Sequence, residues 1–132
     1  MMIELKLGAA VVALALCVLP ARADDCTAAG AVGTMLGQLD RQCPDYRLTR
    51  AGRETMVEMA MRASALANGS DRCIRLGKAS MLSTLSSPEL DDAARSGDPA
   101  AFNAALCQAI AIHMHAMSTA GGLPAMYELR RK

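Results

Sequence analysis

Both histidines of the chain lie in HMHAM, His113 to Met117, together with two of its ten methionines. Imidazole nitrogen and thioether sulfur are donors that suit Cu(I). An H-x-H pair can grip one ion where the chain is extended, because side chains two apart then point the same way. On a helix, two residues turn through about 200°, and the histidines diverge. The usable pair is then His113 with Met117, one turn on. Met56 and Met59, in MVEMAM, could add sulfur from a second helix. His113, Met117, Met56 and Met59 therefore form the candidate metal set, with Cu(I) as the ion. The competing reading is that methionine fills a core poor in aromatics and His113 packs among it.

Beyond position 23 the cysteines are Cys26, Cys43, Cys73 and Cys107. No two are close enough for the C-x-x-C pairs of a zinc site or a redox motif. An even number of well-separated cysteines in a short exported chain reads as two disulfides. Nucleophilic catalysis is short of parts: G-x-S-x-G, H-E-x-x-H and a glycine-rich phosphate loop after a strand are all missing from the sequence. Asp91-Asp92, beside Ala93, Ala94 and Arg95, reads as a solvated helix face. The expectation is a protein that is not an enzyme, with no catalytic residues and no cofactor unless copper.

Export is read from the first residues. Lys6, the apolar run Leu7 to Leu19, Pro20 and the small-residue triplet Ala21-Arg22-Ala23 form the three-part pattern of a signal peptide over 1–23. Cleavage is expected before Asp24. The run is about 13 residues, where roughly 20 are needed to span a bilayer, so no stable membrane insertion is expected after cleavage. The remaining 24–132 is one domain's worth of chain. Of the 14 basic and 13 acidic side chains, removing Lys6, Arg22 and Glu4 leaves equal numbers. That balance gives no electrostatic footprint for nucleic acid. The one basic cluster, Arg130-Arg131-Lys132, reads as a frayed tail. Arginine far exceeds lysine and alanine is abundant, as in GC-rich bacterial genomes, which points to a periplasmic or secreted protein.

The elements that must position these residues are helical. Val32, Met35, Leu36, Leu39 and Cys43 recur at three-four spacing and predict a first helix over 28–42. Gly30, Gly33 and Gly37 share a neighbouring stripe, where each costs about 1 kcal/mol against Ala unless another backbone comes close. Thr49 is the expected N-cap of a helix from Arg50 to Ala67, with Met56, Met59, Ala60, Ala63 and Leu66 on its apolar face. Ser70 or Asp71 should cap a third, over 72–85, burying Cys73, Ile74, Leu76, Met81, Leu82 and Leu85. Ser87-Pro88 and Asp98-Pro99 each read as an N-cap with proline at the first helical position. They open a short helix ending at Gly97 and a long one reaching Thr119. A last short helix is expected from Pro124. With one Phe, two Tyr and no Trp, strands have little to be made from.

The fold class is therefore all-α: a small disulfide-linked bundle of four main helices plus one or two short ones. In an up-and-down bundle Cys26 and Cys73 share one level, and Cys43 and Cys107 share the other. Of the three possible pairings this favours Cys26–Cys73 and Cys43–Cys107. On the long helix, Phe102, Leu106, Ile110, His113 and Met117 form the expected core face, with Cys107 and Met114 at its border. His115 shares a polar strip with Gln108, Ile112 and Thr119. The function expected is non-catalytic binding of an unidentified small ligand or protein, and a hydrophobic cavity would favour an apolar ligand over a metal. Cu(I) binding is the first alternative. A periplasmic chaperone or inhibitor with an adaptable methionine-rich surface is the second.

Overall fold

The first helix, α1, is buried on most of its circumference, and the other elements are arranged around it. The structure is a computed structural model that describes residues 25–130; the leader reading of 1–23 lies outside these residues. α1 covers 25–42 and buries Val32, Met35, Leu36 and Leu39, with Cys43 buried just past its end, as their spacing predicts. It leads into a short strand, β1 (Tyr46–Leu48), and then α2 (Arg50–Leu66), α3 (Arg72–Thr84), α4 (Pro88–Ser96), α5 (Pro99–Ala120) and a second strand, β2 (Tyr127–Leu129). The mostly helical class holds. No described helix is long and apolar enough to cross a membrane.

The helix boundaries follow their capping residues. Thr49 accepts a hydrogen bond from the Gly52 N–H at 3.1 Å. Ser87 accepts one from the Leu90 N–H at 3.1 Å, and Asp98 one from the Ala100 N–H at 3.0 Å. Each satisfies a donor that the first helical turn leaves unpaired. α3 is different: Asp71 holds the N-cap position without a side-chain capping bond, and its carboxylate accepts from Arg75 Nε at 2.9 Å instead. α4 stops at Gly97, whose φ of 72° is the left-handed conformation that glycine adopts without strain.

Both disulfides have the pairing expected from helix levels. Cys26–Cys73 joins the start of α1 to the start of α3, with Cα atoms 4.8 Å apart, and Cys43–Cys107 joins the end of α1 to α5, at 5.8 Å. The first sits in a small buried cluster with Ala29 and Ala63. The second lies in the main core with Leu36, Leu39, Ile110 and Met114. α1 and α3 meet through glycine. A β-carbon on Gly30 would fall 1.8 Å from the Cys73 carbonyl oxygen, so the glycine stripe does admit another backbone.

Three expectations are corrected. The C-terminal segment is not a helix from Pro124 but the strand β2, antiparallel to β1, with Tyr46 opposite Leu129, Arg47 opposite Glu128 and Leu48 opposite Tyr127. Arg47 and Glu128 form an ion pair across the strands, and Tyr46 and Tyr127 meet edge to face with ring centroids 5.6 Å apart. Two tyrosines and a matched charge pair are enough for a three-residue ladder that a long core strand could not have been built from. Arg130 is not part of a frayed tail: its N–H donates to the Asp45 carbonyl at 2.9 Å and its Nε to the Tyr46 carbonyl at 3.1 Å. Finally, the outer helices bury less than their periodicity suggests. Ala60 and Leu66 of α2, and Ile74, Leu76 and Leu82 of α3, are exposed, because these helices touch α1 along narrow seams.

Candidate functional site

α5 sets the position of HMHAM. Its buried residues are Leu106, Cys107, Ile110, Ala111, Met114 and Ser118. The core face is therefore turned from the expected one: Met114 lies at its centre, while Phe102, His113 and Met117 are half-buried along one edge. Ala111 and Ser118 are small enough to let α5 seat closely there, which shifts the centre of burial away from the bulkier edge residues. His115 faces solvent with Gln108, Ile112 and Thr119, so the histidines do diverge.

The edge position gives His113 a role that a core position would not. It lines two neighbouring clefts. One, of about 400 Å³, runs between α5 and the α3–α4 turn, with Ser86, Ser87, Glu89, Gln108 and Ile112 in its walls. The other, of about 370 Å³, lies between α1, α3 and α5, and is lined by Val32, Met35, Ser80 and Met117 besides His113. Thr84 and His113 belong to both and mark where they meet. The volumes fall at the small end of ligand pockets.

The four residues of the metal set are not gathered in one cavity. His113 and Met117 share the second cleft, as the one-turn spacing requires. Met56 lines a separate groove between α1, α2 and α3, and Met59 packs at the junction of the two buried clusters. α1 has His113 on one flank and Met56 on another. The sulfur that does join the His113 cleft is Met35 of α1, read from the sequence only as a core residue. Its three-four spacing with Val32 and Leu39 concealed that one side of it reaches a cleft.

The remaining polar chemistry is spread out. Among the described residues no three of His, Cys, Asp and Glu are grouped so as to hold a metal ion. Asp91 and Asp92 are exposed, and Asp92 pairs with Arg95 on the same helix. Tyr127 carries a phenol whose pKa is raised by burial and by the neighbouring Tyr46. Compared with protein-family models, curated proteins and solved structures, the chain matches none.

Proposed function

We propose that this is an exported, non-catalytic binding protein of the periplasm or another oxidising compartment, and that its ligand occupies the paired clefts meeting at His113. The observation that carries the reading is the edge position of His113, which puts an imidazole at the junction of a mainly small and apolar cleft and a second whose walls mix apolar and polar side chains. A few placed polar groups in an apolar concavity are the usual makings of a binding site. Two disulfides support the compartment, since such bonds persist where the environment is oxidising. Native mass spectrometry of protein isolated from its own periplasm should show a bound mass that His113→Ala loses. Finding the processed chain only in the cytoplasm, or an adduct that survives the substitution, defeats the reading.

A second reading is favoured by one observation. Met35, His113 and Met117 line a single cleft, and two thioethers with an imidazole suit Cu(I). Met56 and Met59 leave the ligand set and Met35 enters it. Anaerobic titration of Cu(I) against a chromophoric chelator should show an affinity that His113→Ala with Met117→Ala weakens at least about ten-fold. An unchanged affinity in the double variant rules this reading out.

A further inference from the structure

The groove on the other flank of α1 has a different chemistry from the His113 clefts and shares no lining residue with them. It encloses about 380 Å³ between α1, α2 and α3. Its walls are apolar, with Met56, Val57 and Ala60 on α2 and Ile74 on α3, and Gly33 forms part of its floor. Val57 is 54% exposed and Ile74 40%, so apolar surface that burial would favour is left in water along the groove.

Gly33 is not required by the packing of the protein itself. Gly30 admits the Cys73 carbonyl, but a β-carbon on Gly33 would meet nothing nearer than Met59 Cβ at 3.7 Å. Alanine would fit there and would favour the helix. The glycine keeps the floor open. At Gly37 the bare backbone is covered by an arginine: Arg41 Nη2 lies 2.9 Å from where a β-carbon would stand. The guanidinium is thus laid back over α1 into the groove, and Lys78 enters it from α3.

Neither of these two cations is engaged by a carboxylate. Arg47, Arg50, Arg62, Arg75 and Arg95 each have a carboxylate partner. Among the described residues Arg41, Lys78, Arg53, Arg72 and Arg130 have none; Arg53 and Arg130 donate to backbone carbonyls, and of these cations only Arg41 and Lys78 line the groove. The acids nearest in sequence on α2, Glu54 and Glu58, are paired with Arg50 and Arg62 of their own helix. An apolar slot with two unpaired cations complements a ligand with an apolar body and an anionic end. Its volume argues against a partner helix, which with side chains is roughly 10 to 12 Å across.

We infer that the groove between α1, α2 and α3 binds a single-chain anionic amphiphile, a medium-chain fatty-acid carboxylate, with its chain along Val57, Ala60 and Ile74 and its head at Arg41 and Lys78. The site stands independently of the proposal for His113.

Calorimetric titration of the disulfide-bonded protein with dodecanoate tests it, with dodecyltrimethylammonium as the probe of equal chain and opposite charge. Dodecanoate should bind one to one and at least ten-fold more tightly than the cation. Arg41→Gln with Lys78→Gln should weaken dodecanoate at least ten-fold, and so should Val57→Glu, which sets a like charge against the ligand. All three positions are exposed, and circular dichroism should show both variants folded. His113→Ala should leave dodecanoate affinity unchanged. Absence of dodecanoate binding, equal binding of the two amphiphiles, or undiminished affinity in the double variant overturns the inference.

Discussion

Gly77 of α3 stands so close to Gly30 of α1 that a β-carbon on Gly77 would lie 2.3 Å from the Gly30 carbonyl carbon and 2.2 Å from Ala31 N. The two helices cross backbone to backbone, and neither chain can yield locally because the atoms in the way are main-chain. Gly30→Ala or Gly77→Ala should therefore cost about 3 kcal/mol or more, at or beyond the usual range for overpacking. Gly33→Ala, one turn along the same stripe, should instead stabilise by about 0.5 to 1 kcal/mol, since its β-carbon has room and the unfolded chain loses freedom. Urea denaturation of the three variants separates the outcomes; a stable Gly30→Ala would mean that α1 and α3 do not cross as described.

The bridges also couple distant parts of the chain, with sequence separations of 47 and 64. By the loop-entropy account each alone stabilises by roughly 4 kcal/mol. Their loops interleave, because Cys43 lies between Cys26 and Cys73, so closing one already restricts the other. Replacing either pair by alanine should leave a folded but weaker protein, and replacing both should cost more than the sum of the two single replacements, because each is made while the other bridge still restricts the unfolded chain. Guanidinium melts of the two paired variants and the fourfold variant measure this. Strict additivity would contradict an effect acting through the unfolded state.

Thr49 connects the strands to the helices through two bonds. Its hydroxyl caps α2 by accepting from Gly52 N–H, and it donates to the Ala125 carbonyl at 2.6 Å. Thr49→Ala should cost about 1 to 2 kcal/mol, at the upper end for a lost cap, and Thr49→Ser should recover most of it. Amide exchange of Gly52 and of Tyr127 should accelerate together in the alanine variant. Faster exchange at Gly52 alone would show that the hydroxyl does not tie the C-terminal segment.

How far the sequence carried the structure can be judged from particular residues. Ser87-Pro88, Asp98-Pro99 and Thr49 announce helix starts through local chemistry, which is why those boundaries are legible. Cys26 with Cys73 could be paired because helix direction alone sets their level. The sheet was hidden for the opposite reason. YRL and YEL are complementary, with tyrosine leading each and Arg47 facing Glu128, but they stand about 80 residues apart, and no local pattern joins them. The site was half legible. His113 and Met117 meet as their spacing requires, whereas the arrival of Met35, and the exclusion of Met56 and Met59, depend on how α1 is rotated between its neighbours. A periodic apolar stripe names a buried face without saying which of its edges opens into a cleft.

The strand pairing also predicts a response to alkali. Burial, and then the adjacent Tyr46, raise the Tyr127 pKa above its ordinary value of 10.0, so the folded protein holds this phenolic proton more tightly than the unfolded chain does. Between the two values the unfolded chain loses the proton first, so stability falls as pH rises. The contribution is complete below about pH 10, the ordinary tyrosine value, and is lost as pH climbs through the folded pKa. Tyr127→Phe removes the phenol and should flatten this part of the profile, leaving the remaining titrations in place. Urea midpoints of wild type and variant, followed from about pH 9 upward, should converge or cross as the wild type weakens faster. Parallel profiles would mean that Tyr127 ionises as readily in the folded protein as in the unfolded chain, and that β2 does not hold its ring against Tyr46.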